Sequence, residues 1–576
     1  MLNCKNILRL LLVGMVFYTS SCSYNKSTEN TDLERIIVLT FDDAVKSHLT
    51  HVAPLLQKYE FGATFFVSYR WMNDSIHFLS WEEIAKLYKM GFEIGNHSWT
   101  HQDFSQPRQA SELAGELGLI EWMLMQQGIP KPVSFAYTGN GFGPEAIEVL
   151  KQEGYQYARR GMQPEVEYGS KEPGPTYNPK KNNPLLIPTT RDGYPGLSVD
   201  DYIKVIEMAD EDKIVVLQFH GIPDITHPWV DTSFDVFNKV MKYLKENKFK
   251  VVALRDLGPL IPDKLPEDTL LQYRYTLKST PGLIWPLEVE ETREHIDFWM
   301  ENMVNYHHFS NNEIQKVTGY NFNEIETQKK NLKKTLEIKN FKDHVIIKPY
   351  PGGRHPRIGF KDGMRSPMRG TKASAFLPWN TDDYIIIDLP EAVFTQYGLT
   401  FLGHKHIPTV FDFQNIQIHN RDWKLLGDGG LENKWILPNQ MIIHAEIHPG
   451  SKSIDLKLSL YNGSQDTVFT NLKTQVCVMF KNAPEFNAQT NENKIFNCPV
   501  TAVHSADSSR WIITAWEHCH TAWGNEDCPC MHADPVFPDC KPGELVQLSG
   551  KIWFYDGDNV QAELEKIRND FLYINQ

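Results

Sequence analysis

Two short stretches carry the residue types that hydrolytic chemistry needs. Thr40-Phe41-Asp42-Asp43 closes an apolar run, Ile36 to Leu39, that reads as a buried strand, so two carboxylates fall where the strand ends. Asn96-His97-Ser98-Trp99-Thr100-His101 follows a second short strand, Phe92 to Gly95, and its imidazoles are four residues apart, so any helical turn there sets both on one face. One carboxylate with two such histidines makes three ligands, and three protein ligands with an open fourth position is the plan of a catalytic zinc-type site. A metal held in that way polarises an acyl carbonyl and brings the pKa of its water toward ~7. Adjacent strand residues point to opposite faces, so Asp42 and Asp43 can both serve only if the backbone has already left the strand. Spacing does not say which one would bind and which would act as base. Alone, a histidine pair at this spacing is more often surface or core, and an Asp pair often only opens a loop; their joint occurrence argues for a site.

A third feature is His220, which closes the apolar run Ile214 to Phe219. The order Thr-Phe-Asp-Asp, then His-Ser-x-x-His, then a late Phe-His resembles the polysaccharide deacetylase (NodB homology) family, carbohydrate esterase family 4, over roughly residues 35–257. The resemblance implies a distorted (β/α) barrel of seven strands and one divalent metal, zinc first among the candidates, held by Asp43, His97 and His101. It implies Asp42 as the base that takes the water's proton and His220 as the acid for the leaving amine or alcohol, a role that needs a cationic imidazole. Where the family has Arg-x-Pro-Tyr, this chain has Ser134-Phe135-Ala136-Tyr137. The arginine that orients the base is therefore absent, while Tyr137 matches, with its backbone N–H implied as an oxyanion donor. Arg159 and Arg160, at the end of the next strand, are candidates for the missing charge, beside a plain salt-bridging reading. Gln218-Phe219 departs from the family's Leu-x, with Leu217 as the substitute for an apolar pocket wall. The family's later Asp and Trp motif has no clear counterpart, and Asp192 is left out of the site. Trp229 is a candidate sugar platform. Asp224 and His227 could line the pocket, whereas His48 and His51 fit a helix face better.

Short β-type runs alternate with helical stretches from Arg35 to Ala253, the pattern of parallel βα units. Strands are expected over 35–40, 63–68, 92–96, 133–137, 156–159, 185–189, 214–220 and 250–254, one more than the family's seven. Ser80-x-x-Glu83 and Ser198-x-x-Asp201 are capping boxes ahead of periodic apolar residues, and Gly154 fits the position just past a helix end. In such barrels the chemistry gathers at the C-terminal strand ends, where Asp42, His97, Tyr137, Arg159 and His220 all fall. The proline-rich stretch Pro259 to Pro266 sets the end of the barrel domain, 34–258. Residues 259–343 read as a linker and helical bridge, with Ile296, Trp299, Met300 and Met303 in one stripe; packing suits this acidic chain better than a DNA-binding helix-turn-helix. Residues 344–576 show short alternating strands separated by Gly, Asn and Asp turns, which argues an all-β, sandwich-like domain. Its most site-like stretch is Pro351-Gly352-Gly353-Arg354-His355-Pro356-Arg357, set against a purely structural loop.

Lys and Arg number 58 against 72 Asp and Glu, a net charge of −14, and no long basic run occurs. That balance speaks against nucleic acid or an anionic membrane surface and for a neutral polysaccharide. Lys5 precedes, and Arg9 interrupts near its start, an apolar run, Ile7 to Phe17, that is too short to span a bilayer and reads as a signal peptide over 1–22. Thr19-Ser20-Ser21-Cys22 is similar to the box before an acylated cysteine in bacterial lipoproteins, although Thr19 stands where Leu is usual. The expectation is export to the bacterial cell envelope, a lipid anchor at Cys22 as the only membrane tie, and a polar tether over 23–33. Cys477, Cys498, Cys519, Cys528, Cys530 and Cys540 all lie in the β domain, and export favours three disulfides of open pairing. The soft ligands of His518-Cys519-His520 and Cys528-Pro529-Cys530-Met531-His532 offer structural zinc as the competing reading. The functional expectation is a metal-dependent deacetylase that removes N-acetyl or O-acetyl groups from a polysaccharide. Its alternatives are a glycan-binding lipoprotein with an inactive barrel and a hydrolase of other C–N amide bonds. A glycosidase needs two opposed carboxyl groups ~5–9.5 Å apart, and only an adjacent pair is present.

Overall fold

The structure, a computed structural model, describes residues 34–573 except 265–267, 277–292, 319, 333–343, 356–358, 362–369, 396–397, 403–406, 417, 419–421, 527 and 558. The leader and tether expected over 1–33 lie outside the described residues, as do Pro356, Arg357 and the side chains of Arg354 and His355.

Eight parallel strands form the N-terminal sheet: β1 (Ile36–Phe41), β2 (Thr64–Val67), β3 (Glu93–Asn96), β4 (Ser134–Ala136), β5 (Tyr157–Arg159), β6 (Arg191–Asp192), β7 (Val215–Phe219) and β8 (Lys250–Val252). Their order is β5-β4-β3-β2-β1-β7-β6, with β8 against β1. β1 is buried on both faces, which is why its sequence runs apolar without alternation. It pairs with β7 along Ile37–Phe41, with β8 along Ile36–Val38, and with β2 only at Thr40 and Phe41. β8 is thus the strand beyond seven. Helices α1 (Ala53–Tyr59), α2 (Trp81–Lys89), α3 (Pro107–Gln126), α4 (Pro144–Gln152), α5 (Val199–Ile206) and α6 (Phe234–Glu246) alternate with the strands to complete a distorted (β/α) barrel. Ser80 and Ser198 form reciprocal capping boxes on α2 and α5, and Gly154 follows α4 at φ +79°.

The strand expected over 185–189 is displaced. Pro184–Leu186 forms a 3-10 turn capped by Asn183, and Pro188 has no N–H for a ladder. Pairing therefore passes through single residues: Ile187 N–H donates to Ala158, Arg160 N–H to Ile187, and Thr190 N–H to Val216, before Arg191–Asp192 pairs with β7. This broken segment joins β5 to β7 and closes the barrel.

The C-terminal part is a sandwich of a seven-stranded and an eight-stranded sheet. Ile385 and Ile387 of one sheet and Leu431, Trp435, Ile443 and Leu458 of the other share one core. The stripe Trp299, Met300 and Met303, with Ile314 and Ile325, packs on the outer face of the seven-stranded sheet against Phe376, Tyr384 and Met479. The C-terminal helix Val560–Tyr573 covers the other sheet through Leu564, Ile567 and Phe571. Each large aliphatic so buried contributes about 1.5–3 kcal/mol. Among the described residues no helix is long and apolar enough to cross a membrane.

No S–S bond joins the six cysteines in this structure, where three disulfides were expected. Cys498 and Cys519 bring their sulfurs to 2.6 Å. Cys540 instead faces the carbonyls of Leu460 and Glu544, and Cys477 and Cys530 gather around His532.

Candidate active site

β1 hands two buried carboxylates to the mouth of the barrel. Asp42 N–H still donates to Phe219 O, but Asp43 and Ala44 take φ of +73° and +53°, so the chain has left the strand and both carboxyls turn toward one cleft.

His97 and His101 sit on a loop, because Ser98 and His101 are left-handed (φ +63° and +56°) and no helical turn forms. Side chains fix this loop. Asn96 Oδ1 accepts from Ser98 N–H, Ser98 Oγ accepts from His101 N–H, and Glu116 of α3 accepts from the N–H groups of Trp99 and Thr100 and from the Thr100 hydroxyl. His97 Nδ1 donates to Ala136 O at 2.8 Å, which leaves the Nε2 lone pair facing inward. Both Nε2 atoms lie 3.5 Å from Asp43 Oδ1, and the three ligand atoms fall within 4.8 Å of one another.

The donor set fits a divalent cation. Asp43 Oδ1 is buried without a hydrogen-bond partner. Burial, with Asp42 and Asp224 nearby, raises the Asp43 carboxyl to about 8 against the opposing pull of His227. Burial also holds both imidazoles below their ordinary range, so they are neutral ligands.

Asp42 is the contrasting neighbour. Burial raises its pKa, but Arg159, His97 and His220 outweigh that and leave it lowered. Arg159, fully buried, donates from Nη2 to Oδ1 at 2.7 Å and Oδ2 at 2.5 Å, and Gln218 Nε2 reaches Oδ2 at 3.3 Å. Arg160 points elsewhere, onto Glu165 at 2.7 and 2.8 Å and the Gln163 carbonyl. His220 Nε2 is 3.9 Å from Asp42 Oδ2 and 4.0 Å from Asp43 Oδ2. Burial pushes its pKa down to about 4, so the imidazole is neutral at rest and not the cation expected of it. Tyr137 lines the cleft, but its N–H donates to Arg159 O at 3.0 Å and its hydroxyl to Leu185 O, so that N–H is engaged in the sheet rather than presented to an oxyanion.

The cleft is also lined by Trp71, Asn140, Tyr168, Asp192, Gln218, His227 and Trp229. His227 Nδ1 lies 3.7 Å from Asp43 and 3.5 Å from Asp224, and Trp71 packs over both His101 and His227. Burial lifts Asp192 to about 7. His48 is buried beneath the site, its Nε2 donating to His220 O, while His51 is exposed. Trp71, Asn140 and Tyr168 stand in connecting loops without motif spacing, so no sequence signal singles them out.

A contact from the sandwich completes the site's surroundings. The short helix Val410–Phe413, capped by Thr409, sets the carbonyl of Asp412 on Trp99 Nε1 (3.3 Å) and that of Phe413 on the Tyr69 hydroxyl and the Asn73 amide (3.0 and 2.9 Å).

Comparison with known proteins agrees with this geometry: residues 29–158 match the family described as polysaccharide deacetylase. That segment belongs to the polysaccharide deacetylase family. A bifunctional xylanase/deacetylase of Pseudobutyrivibrio xylanivorans is 31% identical over 119 residues, 21% of this chain and 18% of that protein. The matched regions span between 18% and 43% of the lengths of the curated relatives. Among solved structures, a family 4 acetyl xylan esterase from Clostridium thermocellum in complex with a cobalt ion is 20% identical, covering 40% of this chain and 93% of that one at a TM-score of 0.28. A family 4 pseudoenzyme from Bacillus anthracis is 16% identical, covering 39% and 65% at a TM-score of 0.28.

Proposed function

We propose that the chain is a metal-dependent deacetylase that hydrolyses N-acetyl or O-acetyl groups of a polysaccharide. The observation that carries this reading is the buried triad Asp43, His97 and His101, with ligand atoms within 4.8 Å of one another beside an arginine-clamped Asp42. A divalent ion bound there, zinc by preference, would supply a Lewis acid for the acyl carbonyl and an acidified water. His97 and His101 offer Nε2 and Asp43 offers Oδ1. Asp42, kept ionised by Arg159, accepts a proton from the attacking water. His220 faces the same carboxylate and relays that proton to the leaving nitrogen or oxygen, which suits an imidazole neutral at rest. The water's oxygen joins the acyl carbon, the bond to nitrogen or oxygen breaks, and acetate leaves beside a free amine or hydroxyl. Trp71 and the part-exposed Trp229 offer ring faces to a sugar at the cleft's rim. The same reading takes 34–258 and 344–576 as separate domains, exported to the cell envelope and anchored at Cys22.

The test is a panel of acetylated glycans incubated with the protein, with and without chelator, and assayed for acetate. The expected result is acetate release that chelator abolishes and zinc restores. Glycan binding without acetate from any substrate would replace this reading with that of an inactive, glycan-binding barrel.

A further inference from the structure

A second group of metal-ligating side chains lies in the seven-stranded sheet of the sandwich. Cys477, Cys530 and His532 are each at most 2% exposed, and their ligand atoms lie within 4.8 Å of one another. Strand pairing explains the gathering. Strand Lys473–Met479 runs antiparallel to strand Cys530–Pro535, with Cys477 opposite His532 and Met479 opposite Cys530. Cys477, Cys530 and His532 therefore share one face, Cys530 being the diagonal neighbour of Cys477.

That diagonal decides between two uses of the thiols. Diagonal positions across an antiparallel pair stand roughly 7–8 Å apart, whereas the Cα atoms of a disulfide are usually roughly 4.4–6.8 Å apart. An ion between the sulfurs spans the longer gap. Tetrahedral zinc, with bonds of ~2.3 Å to sulfur and ~2.0 Å to nitrogen, spaces those ligands by about 3.6 Å, and His532 Nε2 lies 3.8 Å from Cys530 Sγ.

The imidazole is held for such a role. Its Nδ1 faces Asp534 Oδ1 at 3.6 Å, and that carboxylate is fixed by Val476 N–H on Oδ1 and Trp523 Nε1 on Oδ2. The Trp523 indole, opposite His532 on the next strand, stacks on its ring at 3.9 Å and 13°. Asp534 stands on the Nδ1 side of the ring, beyond hydrogen-bond distance, while Nε2 faces the Cys530 thiol.

We propose that Cys477, Cys530 and His532 bind a thiophilic divalent cation, zinc by preference, that ties strands Lys473–Met479 and Cys530–Pro535 of the sandwich together. This inference is independent of the barrel's activity. The experiment loads reduced full-length protein with cobalt(II) and records its absorption. Thiolate ligands give an intense near-ultraviolet charge-transfer band that the barrel's oxygen and nitrogen donors cannot give. The band is expected in the wild type and in His97→Ala, and is expected to vanish in Cys477→Ser and Cys530→Ser. Zinc should displace the cobalt and raise the Tm of the wild type. Absence of the band from folded, reduced wild-type protein overturns the proposal, whether or not the variants fold. So does a Cys477–Cys530 disulfide found by peptide mapping of protein isolated without reductant.

Discussion

Arg159 holds the buried Asp42 carboxylate ionised, and it does so from β5 and not from the stretch Ser134–Tyr137. Arg159→Ala leaves Asp42 buried and unpaired, which costs about 3–5 kcal/mol of stability and should lower kcat by about 10²-fold or more, a loss within the range of general base catalysis. Arg160→Ala, which breaks only the contacts to Glu165 and Gln163, should leave turnover per folded molecule within a few-fold. Equal losses in the two variants would mean that Arg159 is merely structural. Asp43 makes the opposite statement about charge. Its folded pKa, about 8, stands above its ordinary 3.8, so the ion-free protein loses stability as pH rises between those values. A bound cation replaces that proton, so zinc affinity should fall by about tenfold for each pH unit below 8, and the zinc-induced rise in Tm should be larger at pH 8 than at pH 6. Calorimetry at the two pH values checks it, and a larger rise at pH 6 would remove Asp43 from the ligand set. These residues could be picked out from the sequence because strand ends and fixed spacings gathered them. Asp192 and Gln218 meet them only through the closure of the barrel, which no local pattern encodes.

At the scale of elements, the loop Asn96–His101 shows why spacing alone gave the right neighbours by the wrong route. Four-residue spacing suggests a helix face, yet two left-handed residues and a carboxylate from α3 bring the imidazoles together instead. Glu116 accepts three hydrogen bonds from this loop, so Glu116→Ala should cost about 1–3 kcal/mol and weaken zinc binding by about 10–100-fold, while Glu116→Gln keeps acceptors and falls between. Zinc titration of the three proteins decides it, and unchanged affinity in Glu116→Ala would show that the loop holds its shape without α3. The strands were legible where apolar runs were continuous, as in β1, β2 and β7. The segment 185–192 was not, because Pro188 breaks the ladder and spreads its pairing over single residues on both sides.

For the whole molecule, the sandwich does more than follow the barrel. The carbonyls of Asp412 and Phe413 receive hydrogen bonds from Trp99 and Tyr69, across more than 300 residues of sequence, and the Phe413 ring packs edge-on to both of those aromatics. Trp99 lies between His97 and His101, and Trp71 of the adjoining loop covers His101, while Asn415 donates to Arg70 O in that same loop. A contact so remote in sequence leaves no periodicity or motif, which is why composition could suggest a second domain but not that it braces the site. If the sandwich holds both loops, Phe413→Ala should lower kcat/KM by about tenfold, an energy near 1.4 kcal/mol, with zinc affinity reduced in parallel. The Tm of the sandwich should hardly move, since Phe413 is more than a third exposed and stands outside its core. Trp99 fluorescence should shift to the red as water reaches the stack with Tyr69. Asn73→Ala, which removes a different bond to the same carbonyl, should change both readouts in the same direction by a smaller amount. If Phe413→Ala keeps wild-type kcat/KM, zinc affinity and emission, the barrel sets its own loops and the sandwich is only attached to it.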